Sequence, residues 1–66
     1  MKGQIARIKH ENGYGFIRPD DDSKDVFFHA KDCGGIFNDL KEGDNVSFDT
    51  QQTDRGLKAT NIIFEM

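Results

Sequence analysis

Cysteine, proline and tryptophan are almost absent from this chain. Among its 66 residues there is one cysteine, one proline and no tryptophan. A single cysteine cannot form an internal disulfide, which excludes the disulfide-stabilised secreted scaffolds and favours a reducing, cytoplasmic setting. Long hydrophobic runs are also missing, so the sequence shows neither a signal peptide nor a membrane span. We therefore expect a cytoplasmic protein.

The length leaves room for one hydrophobic core. A chain of 66 residues buries only about 60% of its unfolded surface when it folds, so its stability is expected to be a few kcal/mol. We predict a single domain over residues 1–66.

An excess of basic charge is missing as well. Nine basic against twelve acidic side chains give a net charge of −3, whereas contact with phosphates usually leaves a basic footprint. The charges are unevenly placed, however: Arg7, Lys9 and Arg18 lie in or beside aromatic segments, and residues 20–22 form an acidic loop. One neutral-to-basic face could still bind nucleic acid, through base stacking more than through phosphate neutralisation.

Helical periodicity is lacking, and short strand-like runs separated by turn residues take its place. An Asn-Gly pair at residues 12–13 is the strongest hairpin signal. The predicted strands are residues 3–9, 14–18, 25–30, 44–51 and 57–64. Five strands in this order predict an all-β fold, a five-stranded antiparallel barrel of the oligonucleotide-binding (OB) type.

Alternation along the second and third strands divides their side chains between two faces. Tyr14, Phe16 and Arg18 share one face of the second strand, and Phe27 and His29 share one face of the third. A small barrel has one interior, so the opposite set supplies the core: Ile17, Val26 and Phe28, joined by Val46, Phe48 and Ile62. The aromatic set then faces solvent as an apolar patch that water disfavours, which indicates a binding surface. Ile5 and Ile8 break the alternation of the first strand and predict a bulge or sharp bend there.

Two short motifs carry the chemistry of this face. GYGFI at residues 13–17 resembles the first ribonucleoprotein motif of RNA-binding domains, and VFFH at residues 26–29 resembles the second. Rings two residues apart on one strand face lie about 7 Å apart, so each of two splayed bases can stack on a ring. In RNA-recognition-motif domains the second motif precedes the first. The order here is reversed, which excludes that architecture.

The whole pattern resembles the bacterial cold-shock protein family. The matching segments are KG (2–3), GYGFI (13–17), DD (20–21), SKDVFFH (23–29), Phe37, LKEG (40–43), VSF (46–48), RG (55–56) and ATNI (59–62). This resemblance implies an OB-type barrel that binds single-stranded nucleic acid and acts as an RNA chaperone. The base-contacting positions that it implies are Arg7, Tyr14, Phe16, Asp25, Phe27, His29, Ala30, Phe37 and Arg55. Lys9 and Lys58 are added as basic residues that flank the aromatic face.

Several positions depart from the family pattern. The family usually has Trp at Arg7, Phe at Ile8, Lys at Asn12 and an aromatic residue at Ala30, and its Gly-Pro-Gln appears here as GLK at residues 56–58. Two stacking planes are therefore missing, although the guanidinium of Arg7 can lie flat on a base. We expect these changes to affect the strength of binding and not the fold.

Enzymatic and metal chemistry find little support in the sequence. His10, His29 and Cys33 are too few and too scattered for a zinc site, and residues 20–22 lack the pattern of a calcium loop. We expect Cys33 to be a small buried hydrophobic residue. No cofactor and no catalytic residue are predicted.

The alternatives to a single-strand binder are a protein-interaction barrel that uses the aromatic patch for a partner or for self-association, and a binder of ribosomal RNA similar to the small OB-fold translation initiation factor. Oligomeric state is expected to be monomer or weak dimer.

Overall fold

The chain folds into five strands and two short 3-10 helices in the computed structural model, which describes residues 1–65. The strands are β1 (Lys2–Lys9), β2 (Tyr14–Pro19), β3 (Val26–His29), β4 (Asn45–Thr53) and β5 (Gly56–Phe64). The 3-10 helices, Ala30–Cys33 and Phe37–Asp39, lie in the connection from β3 to β4. Each strand ends within two residues of its predicted bounds. Neither helix of the described part is long and apolar enough to cross a membrane.

The strands close into a barrel in the order β1-β2-β3-β5-β4, which confirms the predicted fold class. Four of the five pairings are antiparallel. The pairing of β3 with β5 is parallel and is made through Phe27 and Lys58. A parallel neighbour needs a crossover connection, and here the chain from β3 to β5 supplies one by way of the 3-10 helices and β4.

The predicted irregularity in β1 is a bulge at Ala6. Ile5 pairs with Ile17 of β2, but the next pair joins Arg7 to Phe16, so Ala6 is an extra residue in the ladder. The bulge restores the inward direction for Ile8, which is half-buried against the core. It also places Arg7 on the outer face of the barrel, opposite Phe16.

The core is made of the inward faces of all five strands. Every residue of the predicted core set is at most 4% exposed: Ile17, Val26, Phe28, Val46, Phe48 and Ile62. Ile5, Cys33, Phe37, Leu40 and Ala59 complete it. Cys33 is 3% exposed, as predicted. Its burial, with a smaller contribution from the carboxylate of Asp32, raises the pKa of the thiol to about 11.

Candidate nucleic-acid interface

Four rings from β2 and β3 lie side by side on the outer face of the barrel, and we call them the aromatic surface. Tyr14 pairs with His29 and Phe16 pairs with Phe27 in the antiparallel register, so the four side chains point the same way. The ring centroids of Tyr14, Phe16 and Phe27 are 5.8–6.1 Å apart. Phe27 is 39% exposed, and the other three residues are half-buried. The rings of Tyr14, Phe16 and Phe27 thus support one another, and all four residues still offer surface to a ligand.

Glycine at two positions allows β2 to present these rings. A Cβ at Gly15 would lie 2.6 Å from the ring of Phe28 and 2.7 Å from the carbonyl oxygen of Arg7. Any side chain there would push β2 away from β1 or displace a core ring. Gly13, with φ at +74°, ends the predicted turn, in which the carbonyl of Lys9 accepts hydrogen bonds from the N–H groups of Asn12 and Gly13. The glycines of the GYGFI segment therefore set the position of Tyr14 and Phe16.

The imidazole of His29 has a defined orientation and tautomer. Its Nδ1 accepts a hydrogen bond from the backbone N–H of Lys31 at 3.2 Å. A ring that accepts at Nδ1 in its neutral form carries its proton on Nε2. The backbone N–H of His29 in turn donates to the carboxylate of Asp32 at 3.0 Å. These two hydrogen bonds hold the ring plane of His29 in place, and in the neutral tautomer Nε2 is left as an N–H donor.

Four basic residues predicted for the site surround this surface. Arg7 and Lys9 of β1 are exposed and lie opposite Phe16 and Tyr14. Arg55 is exposed in the turn between β4 and β5, where its N–H donates to the hydroxyl of Thr53. Lys58 lies beside Phe27 in the parallel pairing. The ion pairs within residues 1–65 include Lys58 with Asp32 but none that involves Arg7, Lys9 or Arg55.

Several hollows border the aromatic surface, among them two at its sides. One, of about 400 Å³, is lined by Phe27, Thr53, Arg55, Leu57 and Lys58. The other, of about 430 Å³, is lined by Ala6, Arg7, Phe16, Arg18 and Asp25. Both combine a ring with positive charge. That combination suits a base and its phosphate.

The remaining polar and small positions lie at the margins of the surface. Asp25, whose side chain is 40% exposed, forms an ion pair with Arg18 at 3.4 Å. Ala30 is half-buried, and its N–H donates to the carbonyl of Gly13 at 2.8 Å. Ala30 therefore lies close to the start of β2, next to Tyr14.

The family resemblance implies a base contact for Phe37, but the structure buries its ring. It is 7% exposed and belongs to the core. Its ring packs edge-on against Phe28 at 6.3 Å and against His10 at 5.4 Å, and His10 also bonds the carbonyl of Leu40 through Nε2. The connection from β3 to β4 is thus held against the barrel with this ring inside. Phe37 cannot stack on a base in this conformation.

Sequence reasoning left four residues of these two hollows out of the site: Ala6, Arg18, Thr53 and Leu57. Arg18 could have been assigned to the site from the sequence alone, because it follows Phe16 by two residues on the same strand face. Leu57, 52% exposed, and Thr53 reach the surface only because β5 lies beside β3, a long-range pairing with no local sequence signal.

Together, the closed five-stranded barrel and its exposed rings are those of the OB-type class of domain. Residues 1–64 match the family model described as the 'Cold-shock' DNA-binding domain. The chain is 44% identical over 61 residues to the major cold shock protein of Micrococcus luteus, with 91% of each chain covered. It is 43% identical over 63 residues to the cold shock-like protein CspC of Escherichia coli, covering 94% of this chain and 91% of the relative.

Structure comparison gives the same result. The chain resembles Drosophila Unr CSD456 with a TM-score of 0.81 and 26% identity, covering 98% of this chain and 26% of that larger one. This chain belongs to the cold-shock domain family. Proteins of the family bind single-stranded nucleic acids and are not enzymes. This chain is accordingly a nucleic-acid-binding protein and not an enzyme.

Proposed function

We propose that this protein binds single-stranded RNA or DNA with little sequence preference by stacking bases on the aromatic surface, and that it acts as an RNA chaperone. The observation that carries the proposal is the arrangement of Tyr14, Phe16, Phe27 and His29 on the outer face. The rings of Tyr14, Phe16 and Phe27 are 5.8–6.1 Å apart. Leaving this apolar surface uncovered is unfavourable in water unless a ligand covers it, and nucleobases have the flat apolar faces that match it.

The charged and margin residues have supporting roles in this proposal. Arg7, Lys9 and Arg55 contact phosphates, or bases in the case of Arg7, because they are exposed beside the rings. Asp25, Ala30 and Lys58 border the bases. Phe37 contributes a stacking plane only if its connection opens, since it is buried here. The setting proposed is the cytoplasm, and the protein acts as a monomer or weak dimer over residues 1–66.

A titration with oligothymidine tests the binding. The chain has one tyrosine and no tryptophan, and this tyrosine lies in the aromatic surface, stacked on Phe27 at 5.9 Å. Tyrosine fluorescence therefore reports directly on occupation of the surface. We expect saturable quenching in the micromolar range, in parallel titrations with DNA and RNA. A folded protein without any response would contradict the proposal. If that unresponsive protein also sediments as a dimer, the result would support the protein-interaction alternative.

Chaperone action needs a separate assay. An RNA hairpin labelled with a fluorophore and a quencher should open as the protein is added, because the protein binds only the unpaired form. The matched control is Phe27→Ala, which removes one stacking plane from the surface. Opening that is unaffected by this substitution would contradict a mechanism based on stacking. Co-sedimentation with ribosomes distinguishes free RNA from ribosomal RNA as the partner. If competing single strands remove the protein from the ribosomes, free single strands are the partner. Co-sedimentation that persists would support ribosomal RNA.

A further inference from the structure

Asp32 connects two of the groups at the edge of the aromatic surface. Its Oδ2 atom accepts the backbone N–H of His29 at 3.0 Å and lies 3.3 Å from Nζ of Lys58. The Asp32 side chain is only 12% exposed, and that of Lys58 is 31% exposed. The carboxylate thus holds the start of the first 3-10 helix and a cation of β5 through the same oxygen.

Partial burial makes this ion pair different from the others. The side chains of Lys2–Glu65 and Arg18–Asp25 are 31–65% exposed, and pairs of that kind contribute little because water and salt screen them. Lys58 is as exposed as Glu65, but the Asp32 carboxylate, at 12%, is buried more deeply than any group of those two pairs. Salt therefore screens this pair less. A phosphate that took the place of Asp32 would have to displace a carboxylate that also anchors the backbone of His29. The ammonium of Lys58 is therefore already paired in the free protein.

The paired ammonium still has hydrogen-bonding capacity. A lysine Nζ has three donors, and one is directed to Asp32. Lys58 lies beside Phe27 and lines the hollow next to that ring. A base stacked on Phe27 would present its edge to the remaining donors. The carbonyl oxygens O2 and O4 of thymine are suitable acceptors. Adenine has no carbonyl oxygen and offers only ring nitrogens, of which N7 lies beside the N6 amino donor, so it suits an ammonium less well.

We propose that Asp32 is a positioning residue that holds Lys58 for contact with the edge of a base and keeps it from neutralising a phosphate. This inference rests on the proposed stacking function. It makes Lys58 a determinant of base preference, and it makes the pair Asp32–Lys58 the reason why a lysine beside the binding surface adds nothing to the salt dependence of binding.

The test measures affinity for oligothymidine and oligodeoxyadenosine from 50 to 200 mM salt with four proteins: the parent, Lys58→Met, Asp32→Asn and the double variant. Methionine keeps the aliphatic stem of Lys58 and removes its donors. Asparagine keeps an oxygen that can accept the N–H of His29 and removes the charge that holds Lys58. Circular dichroism and the melting midpoint check that each variant is folded, and Asp32→Ala shows the additional effect of losing the bond to His29.

The proposal gives a distinct result for each variant. Lys58→Met should lose about two- to tenfold in affinity for oligothymidine, less for oligodeoxyadenosine, and keep the parental salt slope. Asp32→Asn should steepen the slope by about 0.7, an additional loss of about 2.6-fold between 50 and 200 mM salt, because the released lysine reaches a phosphate. The double variant should return to the parental slope.

Three results would overturn the inference. The first is a shallower salt slope in Lys58→Met, which would show that Lys58 contacts a phosphate in the parent. The second is an unchanged salt slope in Asp32→Asn. The third is an equal loss of affinity for the two oligonucleotides in Lys58→Met. Each of these leaves the stacking function in place if the parent binds. Absence of parental binding to either oligonucleotide would instead overturn the stacking function, and this inference with it.

Discussion

Two adjacent phenylalanines of β3 allow the functional face to be separated from the core by single substitutions. Phe27 is 39% exposed and points outward, whereas Phe28 is 0% exposed and points into the barrel. The same change, phenylalanine to alanine, at neighbouring positions of one strand should therefore have opposite consequences. Phe27→Ala should weaken binding in a folded protein, and Phe28→Ala should unfold it.

The magnitudes follow from what each ring contacts. Phe27 has two ring neighbours, Tyr14 at 5.9 Å and Phe16 at 5.8 Å, and its partial exposure limits the loss of stability to about 1–2 kcal/mol. The loss in binding should be about 1–3 kcal/mol, the contribution of one base–aromatic stack. Removing Phe28 leaves a cavity in the core and should cost about 3–5 kcal/mol, as much as the whole stability expected of so small a domain.

The assay combines thermal melting by circular dichroism with the oligothymidine titration. Phe16→Ala, on the same face, should behave like Phe27→Ala, with a somewhat larger loss of stability because Phe16 is half-buried. If Phe27→Ala abolishes cooperative melting, the assignment of this strand face to solvent is wrong. If it melts normally and binds with parental affinity, the ring is not a stacking plane.

Further predictions concern charge, missing rings and the thiol. Because Arg7, Lys9 and Arg55 are exposed beside the surface and form no ion pair within residues 1–65, about two or three phosphate contacts and a log–log salt slope of about −1.4 to −2.1 are expected, and a slope steeper than about −4 would show that electrostatics dominates. Ala30→Phe and Arg7→Trp should each tighten binding to oligothymidine by up to about 1–3 kcal/mol. The tryptophan gain should be the smaller because a positive charge is lost, and a folded Ala30→Phe variant with unchanged affinity would remove Ala30 from the site. Burial raises the pKa of Cys33 from 9.0 to about 11, so the unfolded chain ionises first, and stability that is fully present below pH 9 is lost as the pH rises toward 11. Urea midpoints at pH 8 and pH 10 should fall less in Cys33→Ala than in the parent, and equal shifts would contradict this reasoning.

Local sequence patterns were sufficient for the strands and for the two faces of β2 and β3. The alternation of Tyr14, Phe16, Phe27 and His29 predicts one face, and a barrel with a single interior decides which face is buried. The spacing of Ile5 and Ile8 predicts the bulge, because only an extra residue in the ladder turns both inward.

Features that depend on contacts far apart in the chain could not be predicted in this way. The parallel pairing of Phe27 with Lys58 joins strands separated by β4, and it brings Leu57 beside the rings. Phe37 lies in a connection with no alternation, so its burial depends on the partners that it finds, Phe28 and His10. The ion pair of Asp32 with Lys58 likewise exists only because the first 3-10 helix packs on β5.

The bulge at Ala6 divides β1 into two half-strands of opposite phase. Residues before it that share a face with Ile5 enter the core, and beyond it the inward position passes to Ile8, while Arg7 and Lys9 turn outward. In an uninterrupted strand of the same sequence, those two cations would occupy the interior and Ile8 would face solvent. The one extra residue at Ala6 thus decides that Arg7 and Lys9 lie on the outer face, beside the rings, and not in the core. Deleting Ala6, unlike substituting it, would exchange the inner and outer faces of half a strand.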